Sequence, residues 1–341
     1  MPLLSGAVSC TRFSVHSPTS ELDLDAQAFR AIAPGSEVRE SIGFVPFEPG
    51  AEYRVGTDRW AFRVRIDRLR PDPTAVRERL RDLIAAEREA TGAPFVPPKR
   101  RTELRHLAEE ELIADARPQS QIVEGVIDGR VLYLAATSNN VLGKVILLLR
   151  KVGVLVDFKT PWNDLGQEDV ESDVLSLSDA TQSLHGSRFL QSLAGGDDEI
   201  VFDPSDGYVK LQTREARVIL SGGVLHELHG YLDQENELLA AKLQSAEGTF
   251  RLDALTFRIS SLGIDRPRPA HWTEQLDERL ERIAVVWELL DRKYAQHTRG
   301  RAPGRRPAGR DQRTGSAARH GATSAQSGQG GQVVPFEPPG H

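Results

Sequence analysis

The chain has 341 residues, 39% of them apolar and 27% charged, with a formal net charge of −6. No apolar run approaches the ~18 residues a membrane helix needs, and a single cysteine, Cys10, excludes an internal disulfide and any multi-cysteine metal site. The start has no basic region ahead of an apolar stretch, so a secretory leader is not expected, and one thiol suits a reducing cytosol.

The charge is unevenly spread. Residues 54–101 hold 13 basic and 7 acidic side chains, residues 160–298 hold 13 and 25, and residues 299–341 hold 7 and 2. A polyanion is drawn to the first and last of these and repelled by the middle one.

In chain order, residues 8–15 are expected to form a strand and residues 25–32 a helix, and 41–46 reads as a turn-like apolar block. Residues 60–66 alternate: Trp60, Phe62, Val64 and Ile66 face one way, and Ala61, Arg63 and Arg65 face the other. That pattern predicts a half-buried strand whose open face is basic. Pro73 starts a helix carrying Val76, Leu80, Leu83 and Ile84, with Arg77, Arg81 and Arg88 on its other face. Gly92–Pro98 breaks it, Lys99, Arg100 and Arg101 follow, and a second helix runs from Thr102. Residues 73–116 thus predict a protruding helical pair with the basic triplet near its turn.

Beyond it, residues 122–128 and 130–137 predict a hairpin around Asp128-Gly129, and Asn139 opens a helix to Lys151. A strand follows at 154–158, then a short helix at 187–193 and strands at 200–202 and 208–212. A helix at 224–232, an antiparallel pair at 238–243 and 250–260, and a final helix at 272–296 complete the order. The last helix carries Leu276, Leu280, Ile283, Val286 or Trp287, and Leu290 on one stripe. These elements predict an α+β fold with mixed antiparallel sheets and packed helices. Composition divides it into 1–160, an acidic 161–298 and a Gly- and Arg-rich 299–341 that is expected to be disordered.

No phosphate-binding loop, dinucleotide fingerprint or nucleophile elbow occurs. His226 and His229, with Glu227 or Asp233, could hold a metal, but the spacing is not that of the zinc proteases, and two solvated histidines are the plainer reading. Asp197-Asp198-Glu199 and the Glu168, Asp169, Glu171, Asp173 cluster read as solvated loops. Asp203 and Asp206 with Lys210 faintly suggest a Mg²⁺-dependent nuclease. An Asx-stabilised turn explains the same string more simply. Cys10 reads as an idle thiol.

The basic elements remain: Arg63 and Arg65 on the strand, Arg68 and Arg70 just beyond, and Lys99, Arg100 and Arg101. Guanidinium forks suit phosphate contact without base reading. Salt bridging to the many nearby carboxylates is the competing explanation, and both stay open here.

Residues 41–46, the strand 60–66, Lys99–Leu104, the hairpin at 127–137 and Val145–Lys151 resemble, in order, blocks of the recombination-associated RdgC family. Residues 238–243, Leu255-Thr256-Phe257 and the final helix extend the resemblance over roughly 5–296. It implies a cytoplasmic, nucleoid-associated, non-enzymatic protein that needs no cofactor and forms a ring-shaped homodimer. Such a ring takes single- or double-stranded DNA through a basic hole with little sequence preference and restrains a RecA-type recombinase. On this reading Arg63, Arg65, Arg68, Lys99, Arg100, Arg101, Lys144 and Lys151 contact phosphates. An acidic interaction scaffold built on 161–298 is a further alternative.

Overall fold

The computed structural model describes residues 3–17, 19, 21–33, 36, 38–113, 116–166, 184–213, 215–223, 228–232, 236–264 and 271–299. The residues 300–341 expected to be disordered, and the cluster at 168–173, lie outside them.

The described residues within Met1–Gly300 form one compact unit of α+β class. The first half supplies β1 (Val8–Val15), β2 (Glu40–Val45), β3 (Arg54–Val55) and β4 (Arg59–Leu69), then α1 (Pro73–Thr91) and α2 (Pro98–Ile113). Next come β5 (Pro118–Asp128), β6 (Val131–Leu134), α3 (Asn139–Lys151), β7 (Val156–Phe158) and α4 (Pro161–Asp164). The second half adds α5 (Leu184–Ala194), β8 (Val201–Phe202), β9 (Gly207–Gln212), β10 (Arg217–Gly222) and α6 (Leu228–Leu232). It ends with β11 (Glu237–Ser245), β12 (Gly248–Asp253), β13 (Ile259–Leu262) and α7 (Trp272–Arg299).

One path of antiparallel pairings runs β10-β9-β11-β12-β13-β1-β6-β5-β4-β2. Its join is β1, which pairs with β13 at Val8 and Cys10 and with β6 from Thr11 to Ser14. The sheet therefore crosses residue 160, where composition changes.

Two apolar clusters form the core. The inward side of β4, with Phe62, Val64 and Ile66, packs with Val123 and Ile127 of β5 and with Leu142, Val145 and Leu149 of α3. The stripe of α7, with Leu276, Leu280, Ile283, Val286 and Leu290, belongs to one cluster with the second-half strands, and Ala61 and Val126 of the first half join the same cluster. Buried Arg12 of β1 fastens the sheet to α7: its guanidinium grips the Asp291 carboxylate with both nitrogens and lies 4.3 Å from the Trp287 ring centroid.

Several expectations are corrected by tertiary pairing. The helix at 25–32 shrinks to a single 3₁₀ turn, Asp25–Gln27. Residues 41–46 are not a turn but the body of β2, in register with β4 through Ile42 opposite Ile66 and Phe44 opposite Val64. Gly43 is required there, because a Cβ would lie 2.3 Å from the Phe29 Cα. α2 begins at Pro98, so Lys99, Arg100 and Arg101 occupy its first turn. β5 starts at Pro118, four residues before the expected start of the hairpin strand at 122.

The helical pair is present. Asp72 caps α1 by accepting from the Thr74 N–H at 2.8 Å, and Gly92 ends it at a φ of 65°, a conformation glycine adopts without penalty. Only Val76 of α1 and Leu104 and Ala108 of α2 are buried, so ion pairs such as Arg79–Glu111 and Arg100–Glu87 stitch the two helices together.

Candidate nucleic-acid interface

The face of β4 expected to be open and basic is largely closed. Ala61 is buried in the apolar cluster that also holds the α7 stripe. Arg63 donates from Nε and Nη2 to Glu124 at 3.1 and 3.0 Å and from Nη1 to the Phe47 carbonyl, and its guanidinium lies 4.7 Å from the Phe47 ring centroid. Glu124 is itself buried, and its other oxygen accepts from the Leu3 N–H. Arg65 forms a two-pronged pair with buried Asp67, both bonds 2.9 Å, and stacks over Phe29. That pairing holds the Asp67 carboxyl below its ordinary pKa. At the far end of the strand, Arg68 and Lys144 of α3 both grip Glu40 of β2. Burial alone would raise the Glu40 pKa, but the bonds from Lys144 and Arg68 outweigh it, and the net direction is down.

The basic triplet divides. Arg100 is held by Glu87 of α1 at 2.9 and 3.1 Å and by Glu103 at 2.9 Å. Lys99 and Arg101 make no ion pair among the described residues. Lys151 sits with Arg150 in the last turn of α3, where cations complement the negative end of the helix. Thus Arg63, Arg65, Arg68, Arg100 and Lys144 are answered by carboxylates, and Lys99, Arg101 and Lys151 are not.

What sequence reasoning missed is a cleft of 930 Å³ where the end of β4 and the start of α1 meet α2. Leu69, Val76, Leu80 and Ile113 line it with prolines 71, 73 and 98. Arg39, Arg70, Arg77, Arg101 and Arg105 surround it with a single acid, Glu109. Arg105 pairs with Glu109 at 3.0 Å, and Arg39 approaches Glu110 at 3.8 Å. Arg70, Arg77 and Arg101 have no carboxylate partner among the described residues; Arg77 donates only to the Pro73 carbonyl of its own helix. Arg70 and Arg77 were visible as charges in the sequence. Their convergence with Arg101 depends on how the two helices fold back, which charge counts do not report.

The nuclease set does not assemble. Asp203 accepts from the Ser205 N–H and hydroxyl and the Asp206 N–H, an Asx turn, and its other oxygen meets Lys242 at 2.9 Å. Asp206 also pairs with Lys242, at 2.6 Å, whereas Lys210 on β9 takes no part. The Lys242 and Ser205 bonds hold the Asp203 carboxyl far below its usual range. Among the described residues no group of three or more His, Cys, Asp or Glu side chains could hold a metal ion. His226, Glu227 and Asp233, and the side chain of His229, lie outside them. Cys10 is buried, and burial pushes its thiol pKa up to about 12, so it is not a nucleophile at neutral pH.

No helix among the described residues is long and apolar enough to cross a membrane. Comparisons with protein-family models and with curated proteins find no match to this chain.

Proposed function

We propose that the chain binds nucleic acid through its phosphates, without reading sequence, and that the α1–α2 cleft is the point of attachment. The observation that carries this reading is the convergence of Arg70, Arg77 and Arg101 on one cleft with no carboxylate to neutralise them. A guanidinium in water keeps its charge and its fork of donors for an incoming phosphate oxygen. Lys99, one residue before Arg100 in the first turn of α2, extends the same positive surface. Arg63, Arg65, Arg68, Arg100 and Lys144 would have to give up an ion pair to join, and they are assigned to folding and not to contact.

The resemblance to the RdgC family supplies the wider setting of the proposal: a homodimeric ring on DNA that restrains a RecA-type recombinase by occupying the strand it needs. Fluorescence anisotropy with a labelled oligonucleotide, titrated at several salt concentrations, tests the attachment. Affinity is expected to fall steeply with salt, with a log–log slope of roughly −0.7 to −0.9 per phosphate neutralised. A flat salt dependence, or no binding at low salt, overturns the proposal.

A further inference from the structure

The cleft has a second property that phosphate binding does not use. Beside the arginines it is lined mainly by apolar carbon, from Leu69, Val76, Leu80 and Ile113, and its 930 Å³ lies within the size range of small-ligand clefts. Close by in sequence, Phe95 stands 69% exposed in the turn between α1 and α2, three residues before cleft-lining Pro98.

An intact duplex offers a protein surface only phosphates, sugars and base edges; its base faces are stacked away. An apolar lining behind a cationic rim gains nothing from such a partner. An unpaired nucleotide offers both kinds of surface at once, a phosphodiester for the rim and an apolar base face for the lining. Resting on the nucleic-acid reading above, we infer that the cleft receives an unpaired base between its flanking phosphates, with Phe95 as a neighbouring stacking surface, and that the protein selects single strands over duplex.

The sites of the two interactions differ, so they can be separated. Arg70, Arg77 and Arg101 set affinity for any phosphate chain and its salt dependence. Leu80 and Phe95 set the difference between a strand with accessible bases and one without. Phe95 is exposed and Leu80 half-buried, both outside the two core clusters, so the variants are expected to keep the fold, which circular dichroism checks.

The test uses the full chain and three labelled probes of equal length: oligo-dT, a duplex, and a strand of abasic deoxyribose phosphates. The abasic strand matches oligo-dT in charge and flexibility and lacks only the bases. Oligo-dT is expected to bind at least ~10-fold more tightly than either other probe at one salt concentration, consistent with stacking contributions per base. Phe95→Ala and Leu80→Asn are each expected to lower that ratio several-fold while leaving duplex affinity and the salt slope unchanged. Equal binding of oligo-dT and abasic strand, equal binding of oligo-dT and duplex, or a ratio indifferent to both substitutions overturns the inference and leaves phosphate binding standing. Failure of all three probes to bind overturns the attachment itself.

Discussion

Arg63 and Arg65 on β4, and Arg70 and Arg77 at the start of the helical pair, belong to one positively charged stretch of sequence, yet the fold treats them oppositely. On β4 each arginine meets a carboxylate from the sheet itself, and both carboxylates, Glu124 and Asp67, are buried. In the cleft, arginines 70, 77 and 101 line a mainly apolar surface, with Glu109 the one acid of the lining among the described residues. The difference teaches that a run of arginines carries no function as a run. A sheet places strand neighbours about 5 Å apart, so Glu124 across the β4–β5 ladder satisfies Arg63, and Asp67, two residues on along the same face of β4, satisfies Arg65. Two helices that fold back around a proline-rich turn can leave a wedge in which charges converge without their counterions.

The comparison breaks most decisively at Arg63. Removing it leaves the buried Glu124 carboxylate without its charged partner, and losses of this kind cost about 3 kcal/mol or more. Arg63→Ala is expected to lower the urea midpoint accordingly while the folded protein keeps its affinity for an oligonucleotide. A variant as stable as the parent, or one that binds more weakly when folded, would show that Arg63 belongs with the cleft group.

The reciprocal substitution, Arg70→Ala with Arg101→Ala, is expected to leave stability within about 0.5 kcal/mol, as for surface positions without special contacts. Its effect falls on binding: the salt slope is expected to drop by about one for each phosphate contact removed. An unchanged slope places the phosphates elsewhere.

How much of this could be read beforehand depends on the range of the interaction. The alternation of β4 and the α7 stripe were legible, because period-2 and 3.6-residue spacing are local signals. Asp203 was legible as a turn, since an Asx turn spans three residues. The fate of Arg63 was not: its partner is 61 residues away and becomes a neighbour only when β5 pairs with β4, whereas the partner of Arg65, Asp67, is two residues on along the same strand. β10 went unseen because its burial alternates but its hydropathy does not: Val218-Ile219-Leu220 is an unbroken apolar run with Ile219 exposed in its middle. The cleft escaped for the same reason as the ion pairs. Its members come from residues 39 to 113, and no window of sequence holds them together.

Acid sharpens the contrast by acting on one region alone. The Asp67 and Glu40 carboxyls are held below their ordinary pKa by Arg65 and by Lys144 and Arg68. A depressed folded-state pKa contributes stability that is present above the unfolded value, about 4, and is lost as the pH falls through the folded value. Stability is therefore expected to hold down to about pH 5 and to decline below about pH 4. Asp67→Asn should narrow its gap from the parent over that same fall. Oligonucleotide affinity measured between pH 5 and pH 8, above that fall, should stay level.

The smallest expected effect moves one arginine from the first group to the second. Arg100 lies on the surface beside the cleft residue Arg101, and only Glu87 and Glu103 neutralise it. Solvent already screens those pairs, so Glu87→Gln with Glu103→Gln is expected to alter the thermal midpoint little. The freed guanidinium, still in the first turn of α2, would join the surface that meets phosphate. A modest gain in affinity at low salt is expected, with a salt slope steeper by up to about one. If the gain does not appear, proximity to the cleft in sequence is not proximity to the bound strand, and the contact surface ends at Arg101.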